Sequence, residues 1–157
     1  MKAIKLVLLS IVFLFIVVTA ISLLIPSHIR ISKAINIQGQ KDSILSLVGD
    51  TSKWKQWHPA FISSGSTRRF PAIHINSIVR NDSEIVMRLQ QANKPEVVNG
   101  WKIYGHRQVD SLTLQWYMDF YLKWYPWQKF GSLFYENNYG VMMEQGLDNI
   151  KRLSGNK

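Results

Sequence analysis

The sequence predicts an α+β protein: an antiparallel sheet closed by a long C-terminal helix and preceded by one N-terminal transmembrane helix. Three observations predict it. Leu6 to Ile25 is an uncharged apolar run. Between Ile29 and Tyr121, apolar residues recur with the period of two that half-buried strands require. After Pro126 the period lengthens to that of a helix.

The apolar run reads LVLLSIVFLFIVVTAISLLI. Twenty residues at a rise of about 1.5 Å span a hydrocarbon core of about 30 Å. A cleaved leader has a shorter apolar region and a small-residue end, whereas this run ends Leu23-Leu24-Ile25. An uncleaved, single-pass anchor is therefore expected over residues 1–28, with one domain over 29–157. Basic residues flank the run on both sides: Lys2 and Lys5 before it, His28 and Arg30 after it. Two lysines on so short a tail favour a cytoplasmic N-terminus and a domain outside the cytoplasm.

Ile29, Ile31, Ile35 and Ile37 share one face of a first strand, which Gly39 ends. Gln40 to Gly49 predicts a short helix with Ile44, Leu45 and Val48 on one side. Asp50-Thr51-Ser52 offers caps for a second short helix that carries Trp54 and Trp57 and stops at Pro59. Strands follow at Ala72–Val79, Glu84–Gln90, Val97–Gln108 and Leu112–Tyr121. They are joined by the turn Asn81-Asp82-Ser83, a loop with Asn93, Lys94 and Pro95, and a turn near Asp110. In the last strand Leu112, Leu114, Trp116, Met118 and Phe120 face one way, and Thr113, Gln115, Tyr117, Asp119 and Tyr121 face a wetter side. A turn centred near Asp110 puts Trp101 and Ile103 on the face of Met118 and Phe120, with Gly105 making room for Trp116. Gln128 to Leu153 is expected to be mostly helical with a kink or break near Gly140, and with Phe130, Leu133, Phe134, Val141, Leu147 and Ile150 as its apolar stripe.

Composition excludes several classes of function. The 157 residues contain no cysteine, so disulfides, thiolate metal sites and cysteine nucleophiles are absent. A net charge of +9 is scattered, with Arg68-Arg69 the only adjacent arginine pair, and forms no basic stripe of the kind that reads nucleic acid. His28, His58, His74 and His106 lack metal-ligand spacing, and no metal or cofactor is expected. Ser52-Lys53-Trp54-Lys55 matches S-x-x-K without the companion elements of that enzyme class, so Ser52 reads as part of a helix start. No close pair of carboxylates falls on an inward face, and no catalytic residue is assigned.

Three stretches carry a resemblance. Ile35-Asn36-Ile37 leading into Ser43-Ile44-Leu45-Ser46-Leu47-Val48 resembles a first strand and its V-F-x-L-V helix. Trp54-Lys55-Gln56-Trp57-His58-Pro59 resembles a W-x-x-W-x-P element. Gly146-Leu147-Asp148-Asn149-Ile150-Lys151-Arg152-Leu153 resembles a closing G-L-x-N-L-K helix. Together, over about residues 29–154, they resemble the START, polyketide-cyclase and birch-pollen-allergen superfamily (SRPBCC). The resemblance implies the helix-grip fold, a curved antiparallel sheet wrapped around a long C-terminal helix, with an apolar cavity between them. It implies a pocket for a lipid or another hydrophobic small molecule, and no particular reaction.

The residues expected to line that pocket are Trp57, Met87, Trp101, Ile103, Trp116, Met118, Phe120 and Phe134, with Arg88, Tyr104 and His106 joining only if strand bulges turn them inward. Large rings also simply fill cores, and that reading stands beside the first. The expected function is membrane-anchored binding of a hydrophobic or amphipathic small molecule without evident catalysis. The alternatives are a cyclase-like or hydrolase-like enzyme, or a cavity-free interaction module. Trp124, Tyr125 and Trp127 would then form an exposed protein-binding patch, or dip into the membrane interface.

Overall fold

The structure, a computed structural model, describes residues 2–62, 73–91, 95–105 and 111–155. Ala72, Arg68-Arg69, Asn93-Lys94, His106 and Asp110, which carry parts of the sequence reading, lie outside the described residues.

A helix, α1 (Lys2–Ser22), contains the apolar run. Strand β1 (His28–Gln38) follows after five intervening residues. Helix α2 (Lys41–Gly49) buries Ile44, Leu45 and Val48, the three residues its period selects. At the next turn Asp50 accepts from the Ser52 backbone N–H at 3.0 Å and from the Ser52 hydroxyl at 2.7 Å. Two single-turn helices follow, α3 (Trp54–Trp57) and α4 (Pro59–Ile62). Pro59 thus opens α4 as well as closing off α3, because a first helical turn needs no N–H from its first residue.

Strands β2 (Ile73–Arg80), β3 (Glu84–Gln91), β4 (Val97–Tyr104) and β5 (Ser111–Tyr121) complete one antiparallel sheet with β1, in the order β1-β5-β4-β3-β2. Trp101 opposes Trp116, and Ile103 opposes Leu114. The faces are as expected, but the register is not. Gly105 lies against Leu112, where a Cβ would stand 2.7 Å from Leu112 Cδ2. Space for Trp116 comes instead from Gly146, where a Cβ would stand 2.7 Å from Trp116 Cζ3.

The C-terminal helix is divided where the break near Gly140 is expected. Helix α5 (Pro126–Ser132) is followed by a π turn at Glu136–Gly140 and by α6 (Val141–Gly155). A π turn holds one more residue than an α turn and rotates the phase of everything before it. Leu133 and Phe134, expected inside, are accordingly exposed, and Val141, also expected inside, is exposed because it falls off the buried face of α6. The buried stripe is Met143, Gly146, Leu147 and Ile150, spaced i, i+3, i+4 and i+7. Tyr135 and Tyr139 take the inward place expected of Phe134 and meet Phe120 at ring distances of 4.7 and 4.8 Å.

Candidate functional site

The inner sheet face carries Met87, Asn99, Trp101, Ile103, Trp116, Met118 and Phe120, all buried. Against it stand α6 and the α3–α4 pair, which bring Trp54, Trp57 and His58 into the same interior. Trp57 meets Trp116 at 5.4 Å and Trp101 at 6.2 Å, while Trp54 meets Trp101 at 5.7 Å. Phe61, half-buried, closes on Trp54 at 5.5 Å and His58 at 5.1 Å. Seven of the eight expected lining residues therefore meet in one buried body. Phe134, 61% exposed, is outside it because of the π turn.

Indole N–H groups anchor most of this aromatic body. Trp54 donates to Val48 O at 2.8 Å, Trp57 to Leu47 O at 3.1 Å, and Trp116 to Asn99 Oδ1. The exception is Trp101, whose Nε1–H is buried without an acceptor. A buried donor left unpaired costs about 1–3 kcal/mol.

His58 is 6% exposed, and burial pushes its pKa down to about 4. Its Nδ1 accepts from the Ala60 backbone N–H at 3.2 Å, so the neutral ring carries its proton on Nε2. A base with so low a pKa is poorly matched to proton abstraction near neutrality, but its N–H can donate a hydrogen bond. Below its ordinary value of about 6.5, the unfolded chain takes up a proton that the folded chain refuses. Stability is therefore expected to be steady above that pH and to fall by about 2 kcal/mol at pH 5. Urea midpoints at pH 7.5 and pH 5 would measure this, and His58→Gln should remove most of the difference.

Two polar residues of this interior and its edge escaped the sequence reading. Asn99 alternates with Trp101 on β4 and puts an amide inside the aromatic body. Lys33 points inward from the isoleucine face of β1 and reaches Glu136 and Glu144, each at 2.7 Å. Those two hydrogen bonds, Glu136 first, push its pKa up to about 12. The signal was available: a lysine in register with four isoleucines, and two glutamates eight residues apart. Gly140 leaves room for the pair, because a Cβ there would stand 2.9 Å from Glu136 Oε1. Arg88 and Tyr104 are not turned inward. Arg88 pairs with Glu96 at 3.3 Å, and Tyr104 donates to Gln115 Oε1 at 2.8 Å. His74 is exposed on β2.

Asp119 does face away from Met118 and Phe120, but its side of the sheet is not wet there. The carboxylate is buried, with Arg30 bound through both oxygens at 2.7 Å and His28 Nε2 at 3.0 Å. The Arg30 hydrogen bonds hold its pKa below the usual carboxylate range, with His28 adding to the effect. Arg30 also covers the Tyr117 ring at 4.5 Å. Asp119→Asn is expected to cost about 1–2 kcal/mol at pH 7, a modest figure because Arg30 and His28 are half in water. The carboxylate's contribution is complete above about pH 4 and lost as pH falls through its lowered pKa. Wild type and variant should therefore converge in acid unfolding curves.

Among the described residues, no group of three or more His, Cys, Asp or Glu side chains is gathered as a metal site. Asp119 is the one carboxylate among their buried side chains, and it lies on the opposite sheet face from the tryptophans. The interior thus presents apolar surface and hydrogen-bond donors, and among the described residues no acid–base pair meets there.

No family model matches the chain, and no curated protein matches it. Solved structures do. The chain is similar to the di-domain ARO/CYC protein StfQ of the steffimycin biosynthetic pathway, with a TM-score of 0.59 and 13% identity, over 82% of this chain and 51% of that one. A START superfamily protein from Mycobacterium smegmatis gives a TM-score of 0.55 and 15% identity, over 79% and 97%. The di-domain ARO/CYC protein BexL gives 0.56 and 9%, over 79% and 45%. The chain spans about half the length of the di-domain proteins. At these identities the likeness establishes the helix-grip fold.

Proposed function

We propose that this chain is a membrane-anchored binder of a hydrophobic or amphipathic small molecule carrying a hydrogen-bond acceptor. The molecule is held among Trp57, Met87, Trp101, Ile103, Trp116, Met118 and Phe120, and is not chemically altered. The observation that carries this reading is the Trp101 N–H, fully buried in an apolar interior without an acceptor. A ligand oxygen beside it would remove the cost of the unpaired donor. The likeness to a START superfamily protein and to two ARO/CYC proteins supports the same reading. Phe61 and α4 are the natural point of entry, since Phe61 is the half-buried member of the ring cluster. Anchoring is supported by the exposed apolar helix Ala3–Ser22, and the division into an anchor at 1–28 and a domain at 29–157 belongs to the same proposal.

The test compares Trp101→Phe with wild type in equilibrium binding of an extracted lipid or apolar metabolite. Loss of one hydrogen bond of about 1–1.5 kcal/mol should weaken affinity roughly five- to tenfold. Unchanged affinity would sink the assigned role of Trp101.

A second reading, a filled module acting through its surface, is favoured by the close packing of the tryptophans at 5.4–6.2 Å. On that reading Trp101→Phe has no ligand to lose.

A further inference from the structure

Helix α5 lies against the C-terminal turns of α1. Its buried residues Pro126, Lys129 and Ser132 are three apart and form one stripe. On α1, Val18 and Thr19 are half-buried and Ser22 fully buried, although the rest of the helix is almost wholly exposed. Lys129 secures the contact. Its Nζ donates to Ile25 O at 2.8 Å and Ser27 Oγ at 2.7 Å, placing a cation just beyond the C-terminal end of the helix. The domain is therefore clamped to the anchor.

The opposite side of this region is apolar and uncovered. Trp124, Trp127, Leu133 and Phe134 are 58%, 65%, 61% and 61% exposed. Tyr125 stacks on Trp127 at 4.8 Å and meets Trp124 at 5.0 Å, so the three rings form one platform. If Ala3–Ser22 spans the hydrocarbon, the half-burial that begins at Val18 beside α5 lies about 6 Å inside the end of that span, at a rise of about 1.5 Å per residue. That is the depth at which interfacial helices and tryptophan belts sit.

We infer that Trp124, Trp127, Leu133 and Phe134 form a wedge seated in the bilayer interface, the occupant of this face being lipid. The inference rests on the membrane-anchor reading and adds a fixed pose to it. The end of the sheet where His28 pairs with Tyr121 faces the bilayer, and with it the Phe120–Tyr135–Tyr139 ring cluster. Exposed Lys123, next to the platform, suits the headgroup layer.

The test uses the full chain in phosphatidylcholine vesicles whose acyl chains carry bromine at a shallow or a deep position. Bromine quenches only indoles that reach lipid. Trp54, Trp57, Trp101 and Trp116 are 0–3% exposed, and α1 contains no tryptophan, so the signal isolates Trp124 and Trp127. The expected result is that the chain floats with the vesicles and shallow bromine removes up to about a third of the emission, the share of two tryptophans in 6. Deep bromine should remove less, and the Trp124→Phe/Trp127→Phe double variant should show neither loss. Equal quenching of wild type and variant on floating vesicles overturns the wedge alone. Cross-linking of that unquenched face into a dimer would identify a second copy as its occupant and overturn it too. Failure to float overturns the anchor reading and the wedge with it.

Discussion

Trp116→Ala is expected to lower the stability of the folded domain by about 3–5 kcal/mol, the usual cost of deleting a buried tryptophan. Trp116 is fully buried and meets Trp57, His58 and Trp101 at 5.3–5.8 Å. Alanine would leave a cavity bounded by the sheet on one side and α6 on the other. It would also take the indole N–H from Asn99 Oδ1, and Asn99 is 1% exposed, so water reaches that carbonyl only through the cavity. Trp116→Phe separates the two losses, because it keeps most of the volume and removes the hydrogen bond. It should cost more than Trp101→Phe by about 1–3 kcal/mol, since the Trp101 N–H has no partner to strand. Urea midpoints of the three variants measure this order. A Trp101→Phe cost equal to that of Trp116→Phe would contradict the assignment of Trp101 as an unpaired donor.

Gly146→Leu should be at least as damaging as a strong overpacking mutation, about 3 kcal/mol. A Cβ at this position would stand 2.7 Å from Trp116 Cζ3 and 3.3 Å from Pro59 Cδ. Trp116 packs against Trp57, His58 and Trp101, and Pro59 is fixed by its ring. Replacing a helical glycine normally gains up to about 1 kcal/mol of helix propensity, so the sign of the result decides which effect wins. Gly146→Ala is the milder probe and should also destabilise. A gain in stability for Gly146→Ala would mean that α6 does not approach the sheet as closely as this packing requires. Gly131 is the control, because nothing stands within 4 Å of its added Cβ, and Gly131→Ala should be neutral or stabilising.

The strands are legible in the sequence because alternation is a local property. Leu112 to Phe120 declare their face without reference to any partner, and so do Ile29 to Ile37. Register is a different quantity. Trp116 opposes Trp101 rather than Gly105, four positions away, yet an even shift leaves every side chain on the same face. That is why the aromatic face was readable while its neighbours were not. The C-terminal helix misled for a related reason. Gly140 marked where it would break, but a glycine does not reveal that the break at Glu136–Gly140 adds a residue to the turn and so changes which residues face inward. The ion pairs of Lys33 with Glu136 and Glu144 become visible only once that turn brings the two glutamates over β1. The membrane-facing role proposed for α5 was half legible. The ring-rich Trp124 to Trp127 segment stood out, but the clamp through Lys129 onto Ile25 joins residues 104 positions apart.

The central claim is that the tryptophan-lined interior between sheet and C-terminal helix receives a hydrophobic ligand. Native mass spectrometry of the full chain, released from lipid particles after incubation with membrane extract, tests it most directly. The prediction is a bound lipid or apolar metabolite at near one-to-one ratio that is diminished in Trp101→Phe and unaffected by Trp124→Phe/Trp127→Phe. A bare chain mass, or an adduct that disappears with Trp124 and Trp127 while surviving Trp101→Phe, would contradict it and leave the filled interior as the account of the tryptophan cluster.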